Sequence, residues 1–342
     1  PYLRRDGWVY WCKGAFGEQT HELVDGRSMT SAAAHIYRRR LEGGPIEPVV
    51  SGGMDNPVEV AFTPEGEKFF TSTFLQHPSN GLRDGIAHAV YGGLFGKDHS
   101  VVAPHIQTGP LMPIMTHLGP AAPSGLICLN SNSINPSFGI DPQARTLVAA
   151  LFNLHKLTAH ALVADGATYR TIDHDLVVAD RVDFHPTDVI EDADGSLLLI
   201  DTGGWYDLCC PTSRINQKTA NGGIYRISIN AEPRVSADSR NVDWASLNAL
   251  SAVELLYDSR PWIAREAGLF LQRAGQGAIE PLAAILDDPQ RPLDDRLTAV
   301  WALCRDGSED SLNEIAGQLQ SDENAIVQAA CHAISVHRNG RA

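Results

Sequence analysis

From residue 1 to about residue 230, short runs of β-branched and aromatic residues alternate with clusters of Gly, Pro, Asn and Asp, a pattern that predicts many short strands joined by turns. A long series of short strands builds either a sandwich or a propeller, and only the propeller repeats itself. A repeat is present. Pro57 aligns with Pro186, Glu59 with Asp188, Val60 with Val189 and Gly66 with Gly195, each pair 129 positions apart. Asp6-Gly7-Trp8-Val9-Tyr10-Trp11 repeats the turn and the strand after it, with Gly7 59 positions before Gly66. A middle copy starts near Pro123-Ser124-Gly125-Leu126, its turn degenerate around Asn130 to Pro136. Each unit reads as an inner strand entered through Pro, a turn at its far end, and an apolar second strand that packs on the neighbouring blade. The expectation is a partial all-β propeller over residues 1–230, of the six-bladed type, with about four blades present and the first one cut at the N-terminal side.

After Tyr225-Arg226-Ile227 the glycines thin out, Lys disappears, and Ala and Leu recur at helical spacing. Residues 231–243 read as a linker and 244–342 as helical repeats. Segments 255–267, 285–299 and 318–330 share a helix, acidic turn, helix layout, and Gly275, Gly307 and Gly340 close the units at spacings of 32 and 33. This predicts a short HEAT-type α-solenoid.

Composition narrows the function. The 342 residues are 43% apolar, and 27 Lys and Arg stand against 41 Asp and Glu, a net charge of -14 that repels nucleic acid. No stretch approaches the roughly 18 apolar residues of a membrane span. The opening residues show neither an initiator Met nor a signal peptide, so a longer parent protein is expected. Of 13 histidines, 11 precede residue 190.

In a propeller the loops leading into the inner strands meet at the mouth of the central channel. The polar residues expected there are Asp55, Asn56, Glu59, His117, His185 and Asp188, joined by Gln76, His77, Asn153, His155, Asp201 and Trp205. Imidazoles and carboxylates together can bind a metal, hold an anionic cofactor or supply a base titrating near neutrality. Equally, such groups tie down loops. Asp192-Ala193-Asp194-Gly195 resembles a calcium loop but reads first as a hairpin turn. Vicinal Cys209 and Cys210 are either buried thiols or halves of a bridge to Cys128 or Cys12. Cys304 and Cys331 read as core, and Arg38-Arg39-Arg40 as a solvated face.

Four segments carry a family resemblance: Gly-Gly-Met-Asp-Asn-Pro-Val-Glu-Val-Ala-Phe-Thr-Pro (52–64), Thr-Phe-Leu-Gln-His-Pro (73–78), Thr-His-Leu-Gly-Pro-Ala-Ala-Pro-Ser-Gly-Leu (116–126), and the stretch from Asp183-Phe184-His185-Pro186 to Cys209-Cys210-Pro211-Thr212-Ser213. They resemble the planctomycete-type membrane-bound dehydrogenase domain proteins, in which a glucose/sorbosone dehydrogenase-like propeller precedes HEAT repeats and usually a c-type cytochrome domain. The resemblance implies quinone-dependent oxidation of a carbohydrate hydroxyl outside the cytoplasm, in the periplasm. It implies pyrroloquinoline quinone (PQQ) with calcium as cofactors, His117 as the base, and electrons passed to a c-type haem domain beyond this stretch. Where soluble sugar dehydrogenases carry Arg-Asn-Pro, this chain has Phe-His-Pro, which removes a partner for an anionic quinone. Two other readings stand beside the dehydrogenase. One is a non-catalytic carbohydrate- or protein-binding propeller with the HEAT repeats as a docking arm. The other is a metal-dependent hydrolase or lactonase using Glu59, Asp188, Asp201 and histidines.

Overall fold

The computed structural model describes residues 1–76, 80–130, 135–204, 219–228, 242–258 and 260–337. Among these, four sheets follow one another along the chain. In the first, β1 (Tyr2–Leu3) and β2 (Trp8–Lys13) are followed by a separate hairpin of β3 (Gln19–Glu22) and β4 (Ser28–Ser31), then by β5 (Ala34–Arg40) and β6 (Glu47–Gly52). The pairing order is β1-β2-β5-β6, antiparallel throughout. The second contains β7 (Asn56–Phe62), β8 (Lys68–Thr73) and β9 (Asp84–His88). Next, β10 (Gly93–Phe95) crosses back to pair parallel with β6, and β11 (Thr116–Gly119) closes the outer edge of the second sheet on β9. The third is the meander β12 (Pro123–Cys128), β13 (Thr146–Leu151), β14 (Lys156–Asp165) and β15 (Thr168–Val178); the fourth is β16 (Pro186–Glu191), β17 (Leu197–Asp201) and β18 (Gly223–Ile227).

The inner strands sit side by side, β7 against β12 and β12 against β16. Their repeats in sequence are repeats in space. Gly7, Gly66 and Gly195 each occupy the turn between first and second strand with φ of 81°, 112° and 80°, a region glycine enters without strain. The Asp192–Gly195 segment is accordingly a hairpin turn, closed by the Asp192 amide on the Ser196 carbonyl. The degenerate middle copy is the long connection from β12 to β13. Each of β7, β12 and β16 also shifts register just past its proline, between Pro57 and Val60, Pro123 and Leu126, and Pro186 and Asp188. Such bulges bend a strand and re-aim side chains.

Among the described residues six α-helices follow: α1 (Ala249–Glu254), α2 (Pro261–Ala274), α3 (Gln276–Asp287), α4 (Leu293–Asp306), α5 (Glu309–Gly317) and α6 (Asn324–Ser335). The three acidic turns lead into α2, α4 and α6, but only the second is directly preceded by a full helix, α3; before the first and third stand single 3-10 turns at Leu255–Tyr257 and Gln318–Gln320. Gly275 and Gly307 end α2 and α4. α4 is the central helix, touching α2, α3, α5 and α6. Instead of forming an independent core, the helices share one with the first two sheets, in which Trp8, Tyr10, Val60 and Phe70 join Leu297, Val300, Trp301 and Ala330.

The seam lies at the turn end of the sheets. Trp301 Nε1 donates to the Pro64 carbonyl at 2.7 Å, and the Arg4 guanidinium lies 4.1 Å over the Trp301 ring. The Glu67 carboxylate takes His88 at 2.7 Å, Gln328 at 2.6 Å and His332 at 3.1 Å. Arg145 bridges Glu65 at 2.8 Å and Asp294 at 2.5 Å. This packing overturns two surface readings. Arg38 is 3% exposed, paired with Glu47 at 2.6 Å and stacked 4.6 Å over Trp8, and Arg40 lies over the same ring, so only Arg39 is solvated. Cys304 is buried as expected, whereas Cys331 is exposed, because α6 turns it away from the core.

Against the cost of burial, the hydrogen bonds and charges of His332 and His88 hold the Glu67 carboxyl well below the ordinary range, while burial pushes His332 down. A depressed carboxyl contributes stability that is present above its unfolded value near 4.5 and lost as pH falls through the folded one. Glu67→Gln is therefore expected to cost about 2 kcal/mol at pH 7. Urea denaturation across a pH series should show that cost shrinking steadily below pH 4.5.

Candidate functional site

The helices cover the turn end of the sheets, and the candidate residues gather toward the opposite end, the mouth. Glu59 and Asp188 hold matched positions, each two residues past its proline, inside the bulges of β7 and β16. Gly125 takes the same position on β12 between them. A Cβ there would stand 2.9 Å from Asp188 Oδ1 and 2.8 Å from its Cα, so glycine is what lets β12 and β16 approach this closely. Tyr2 of β1 brings its hydroxyl to Glu59, and Cys12 of β2 lies beside the same carboxyl. Four successive inner strands thus meet at one spot.

The electrostatics follow from that convergence. Burial first, and then the like charge of Asp188, push the Glu59 carboxyl up to about 7, against the opposing pull of the Tyr2 hydroxyl and the Leu126 amide. Burial raises Asp188 also, and burial with the nearby Glu59 pushes the Cys12 thiol up to about 12. A carboxyl titrating near 7 can both give and take a proton at neutral pH, the condition for acid and base roles in one site.

Around this floor the backbone is strained. Phe16, Phe74, Ala122 and His155 have φ of 75°, 53°, 45° and 55°, and each lies at the mouth end of a second strand or just before an inner one. Non-glycine residues held there cost on the order of 1 kcal/mol each and cluster at functional sites. The Asp84 carboxylate, fully buried, fixes two of them by accepting the amides of Phe74 at 3.3 Å and Ala122 at 2.7 Å. Lys97 pairs with Asp55 at 2.5 Å and lies 6.0 Å from the Phe16 ring and 5.8 Å from that of Phe74. Phe16 remains 55% exposed, an aromatic face on the rim.

The other expected residues divide. His155 and His185 come together, rings 5.2 Å apart, with their Nδ1 atoms on the carbonyls of Phe184 at 2.8 Å and Gly203 at 2.7 Å. Asn56 is exposed, its amide 3.4 Å from the Thr73 hydroxyl, and Gln76 is exposed as well. Asp201, expected as a metal ligand, is instead a buried anchor that accepts the amides of His185 and Gly203, both at 2.8 Å. His117, expected as the base, is exposed on β11, the edge strand, with β9 and β8 between it and β7. Three strand spacings are roughly 15 Å, so the structure does not bring His117 to the Glu59 pair. Cys12 and Cys128 are free thiols. His77, Trp205, Cys209 and Cys210 lie outside the described residues. Tyr2, Phe16, Phe74 and Lys97 carry no motif for this role, and Cys12 stands out in the sequence only as a possible bridge partner. One signal was available: Phe16, Phe74 and Phe152 all follow shortly after the second strand of their sheet.

Of the described cations near the mouth, Lys97, Arg83 and Arg181 are each bound to a carboxylate, Asp55, Asp84 and Asp201, whereas Lys13 donates to the Ala33 carbonyl at 2.8 Å. Calcium takes six to eight oxygen ligands, and among the described residues no group of three or more His, Cys, Asp or Glu side chains is placed to hold a metal. No described helix is long and apolar enough to cross a membrane.

No family model and no curated protein matches the chain. Solved structures do match. A glucose dehydrogenase-type oxidoreductase of Thermus thermophilus aligns with a TM-score of 0.40 at 17% identity over 57% of this chain and 55% of that one, so the chain spans about half its length. A gluconolactonase-family protein gives 0.31 at 11% identity over 62% of this chain and 70% of its own, and a glucose dehydrogenase gives 0.30 at 11% over 66% and 79%.

If the like charge of Asp188 holds Glu59 up, Asp188→Asn should move the Glu59 titration from about 7 toward the ordinary carboxylate range. Carbon NMR of labelled glutamate side chains reads the shift directly. An unchanged midpoint would leave burial as the whole cause.

Proposed function

We propose that the chain is an arc of a sugar-dehydrogenase-like β-propeller, and that its mouth takes an uncharged carbohydrate which exchanges a proton with the Glu59–Asp188 pair. The observation supporting this reading is the meeting of Tyr2, Glu59, Gly125 and Asp188 from four inner strands, with one carboxyl titrating near neutral pH. A base works best when its pKa lies near the working pH. Ionised, Glu59 accepts the proton of a hydroxyl or water brought within hydrogen-bond reach; protonated, it returns that proton. Tyr2 holds the carboxyl in place, the acidic floor disfavours anionic sugars, and the exposed Phe16 face suits the apolar side of a sugar ring.

Two reactions use such a pair. Oxidation of a sugar hydroxyl is the one that the resemblance of segments 52–64, 73–78, 116–126 and 183–213 motivates, with an extracytoplasmic location and a haem-domain partner as parts of the same reading. Its hydride acceptor must be held by groups other than the rim cations Lys97, Arg83 and Arg181, which are paired. That pairing favours the second reaction, opening of a sugar lactone by water, in which Glu59 acts as the base and no redox partner is needed.

Dye-coupled aldose oxidation with and without PQQ and calcium, run beside lactone hydrolysis at constant pH, separates the two. In whichever reaction turns over, Glu59→Gln is expected to lower the rate about 100-fold or more, and His117→Ala to leave it nearly unchanged. Sugar binding without turnover in either assay would make the mouth a recognition site alone. The same substitution has a signature in stability. A carboxyl whose folded pKa is raised contributes stability that is present below its unfolded value of 4.5 and lost as pH rises through about 7. Glu59→Gln should thus unfold at a higher temperature than wild type above pH 7, with the difference closing toward pH 4.5.

A further inference from the structure

Helices and sheets do not meet flush at their seam. Between them lies a cleft of about 480 Å³, with an annex of about 150 Å³ that shares the walls of Leu3, Arg5, Pro64 and Trp301. The larger volume is in the range of small-molecule sites. One wall is a single face of α4, where Asp294, Thr298, Trp301 and Arg305 follow at helical spacing. Leu256 and Tyr257 form the opposite wall, and the segment Leu3-Arg4-Arg5 forms the floor.

The charges on these walls do not balance. Each lining carboxylate already has an arginine outside the cleft: Asp258 meets Arg260 at 2.5 Å, Asp294 meets Arg145 at 2.5 Å, and Asp295 meets Arg291 at 4.0 Å. Of the lining arginines, Arg4 is bonded to Asp6 at 2.7 Å and Arg265 meets Glu266 at 3.3 Å. Arg5 and Arg305 differ. Arg5 reaches the Thr298 hydroxyl at 2.8 Å and Arg305 the Arg4 carbonyl at 3.2 Å, both neutral acceptors. The Arg305 Nε is buried without a partner among the described residues, and so is the Tyr257 hydroxyl on the facing wall. Along α4, Thr298 and Arg305 are roughly 10 Å apart. Arg5 stands exposed at the rim, whereas burial disfavours the charged form of Arg305, a cost that an anion beside it would offset. In a chain of net charge -14, two guanidiniums with no carboxylate bonded to them among the described residues face the same cavity.

We propose that this cleft binds a small oxoanion with an apolar body, a carboxylate or a phosphate ester, whose oxygens engage Arg5 and Arg305 while its carbon frame lies against Leu3 and Ala302. The site is separate from the mouth and does not depend on the reaction run there. Because its walls come from both sides of the seam, the bound anion ties the helices to the first sheet, and occupancy raises the unfolding temperature of the whole chain.

Isothermal titration of the full chain with benzoate, phenyl phosphate and inorganic phosphate tests this, with benzyl alcohol as the neutral control. The expected result is one-to-one binding of benzoate or phenyl phosphate and none of benzyl alcohol. Whichever of the two binds tells a carboxylate site from a phosphate site. Arg5→Gln should weaken binding about tenfold or more, the loss of one charge-assisted contact. Ala264→Trp, which fills the cleft and leaves both arginines in place, should abolish it. The proposal is overturned if no anion binds, if benzyl alcohol binds equally well, or if both variants keep wild-type affinity. Inorganic phosphate binding as tightly as phenyl phosphate would remove the role given to the apolar wall.

Discussion

A turn of five residues, Thr63 to Glu67, fixes the position of everything else. Its Pro64 carbonyl receives the indole of Trp301, and its Glu67 carboxylate receives side chains from β9 and α6 at once. Buried polar groups are costly unless all are paired, and a fully satisfied network permits one arrangement only. Gly66 shows how tight that arrangement is, because a Cβ there would stand 2.9 Å from atoms of Arg4, Trp301 and His332. With the second sheet clamped this way, Arg4 carries the first sheet and Arg145 the third onto the same helices. The mouth, at the other end of these strands, inherits its geometry from this seam.

At the mouth the chain accepts instability in several forms together. Like charges are brought close, non-glycine residues are held at positive φ, and a tyrosine hydroxyl is turned toward a carboxyl in partly buried surroundings. Buried charge is handled differently at the seam. Asp6, for example, is fully buried but receives Arg4, Tyr10 and the Trp8 amide. That contrast sets the mouth apart from the seam, where the buried Asp6 charge is paired.

The strand repeat was legible because tight turns need glycine and strand starts tolerate proline, so Pro57, Pro186, Gly66 and Gly195 had few substitutes. The pairing of Glu59 with Asp188 could be read from the same alignment. Tyr2 could not, since the first copy offers only its turn and second strand for comparison. For His117, nearness in sequence to Gly125 hides the fact that β11 is the outer edge of one sheet and β12 the inner edge of the next. Asp201 and Arg38 share a second kind of illegibility. A charged residue in sequence shows its charge but not its partners, and here backbone amides and Glu47 consume it. The helical layout was plain from Gly275 and Gly307, whereas the docking of those helices onto the sheets left no periodic trace.

The span of the seam also bears on how the chain is made. Pro64 and Trp301 are 237 residues apart, and Glu67 and His332 are 265 apart. At roughly 5 to 20 residues per second on the ribosome, the Glu67 turn emerges some ten to fifty seconds before its helical partners exist. Through that interval the apolar undersides of the first two sheets, with Trp8, Val60 and Phe62 among them, lack the helices that cover them in the folded chain. Newborn chains are therefore most exposed to aggregation while the later sheets are still being translated, and a chaperone that shields the turn end during that window would protect them best.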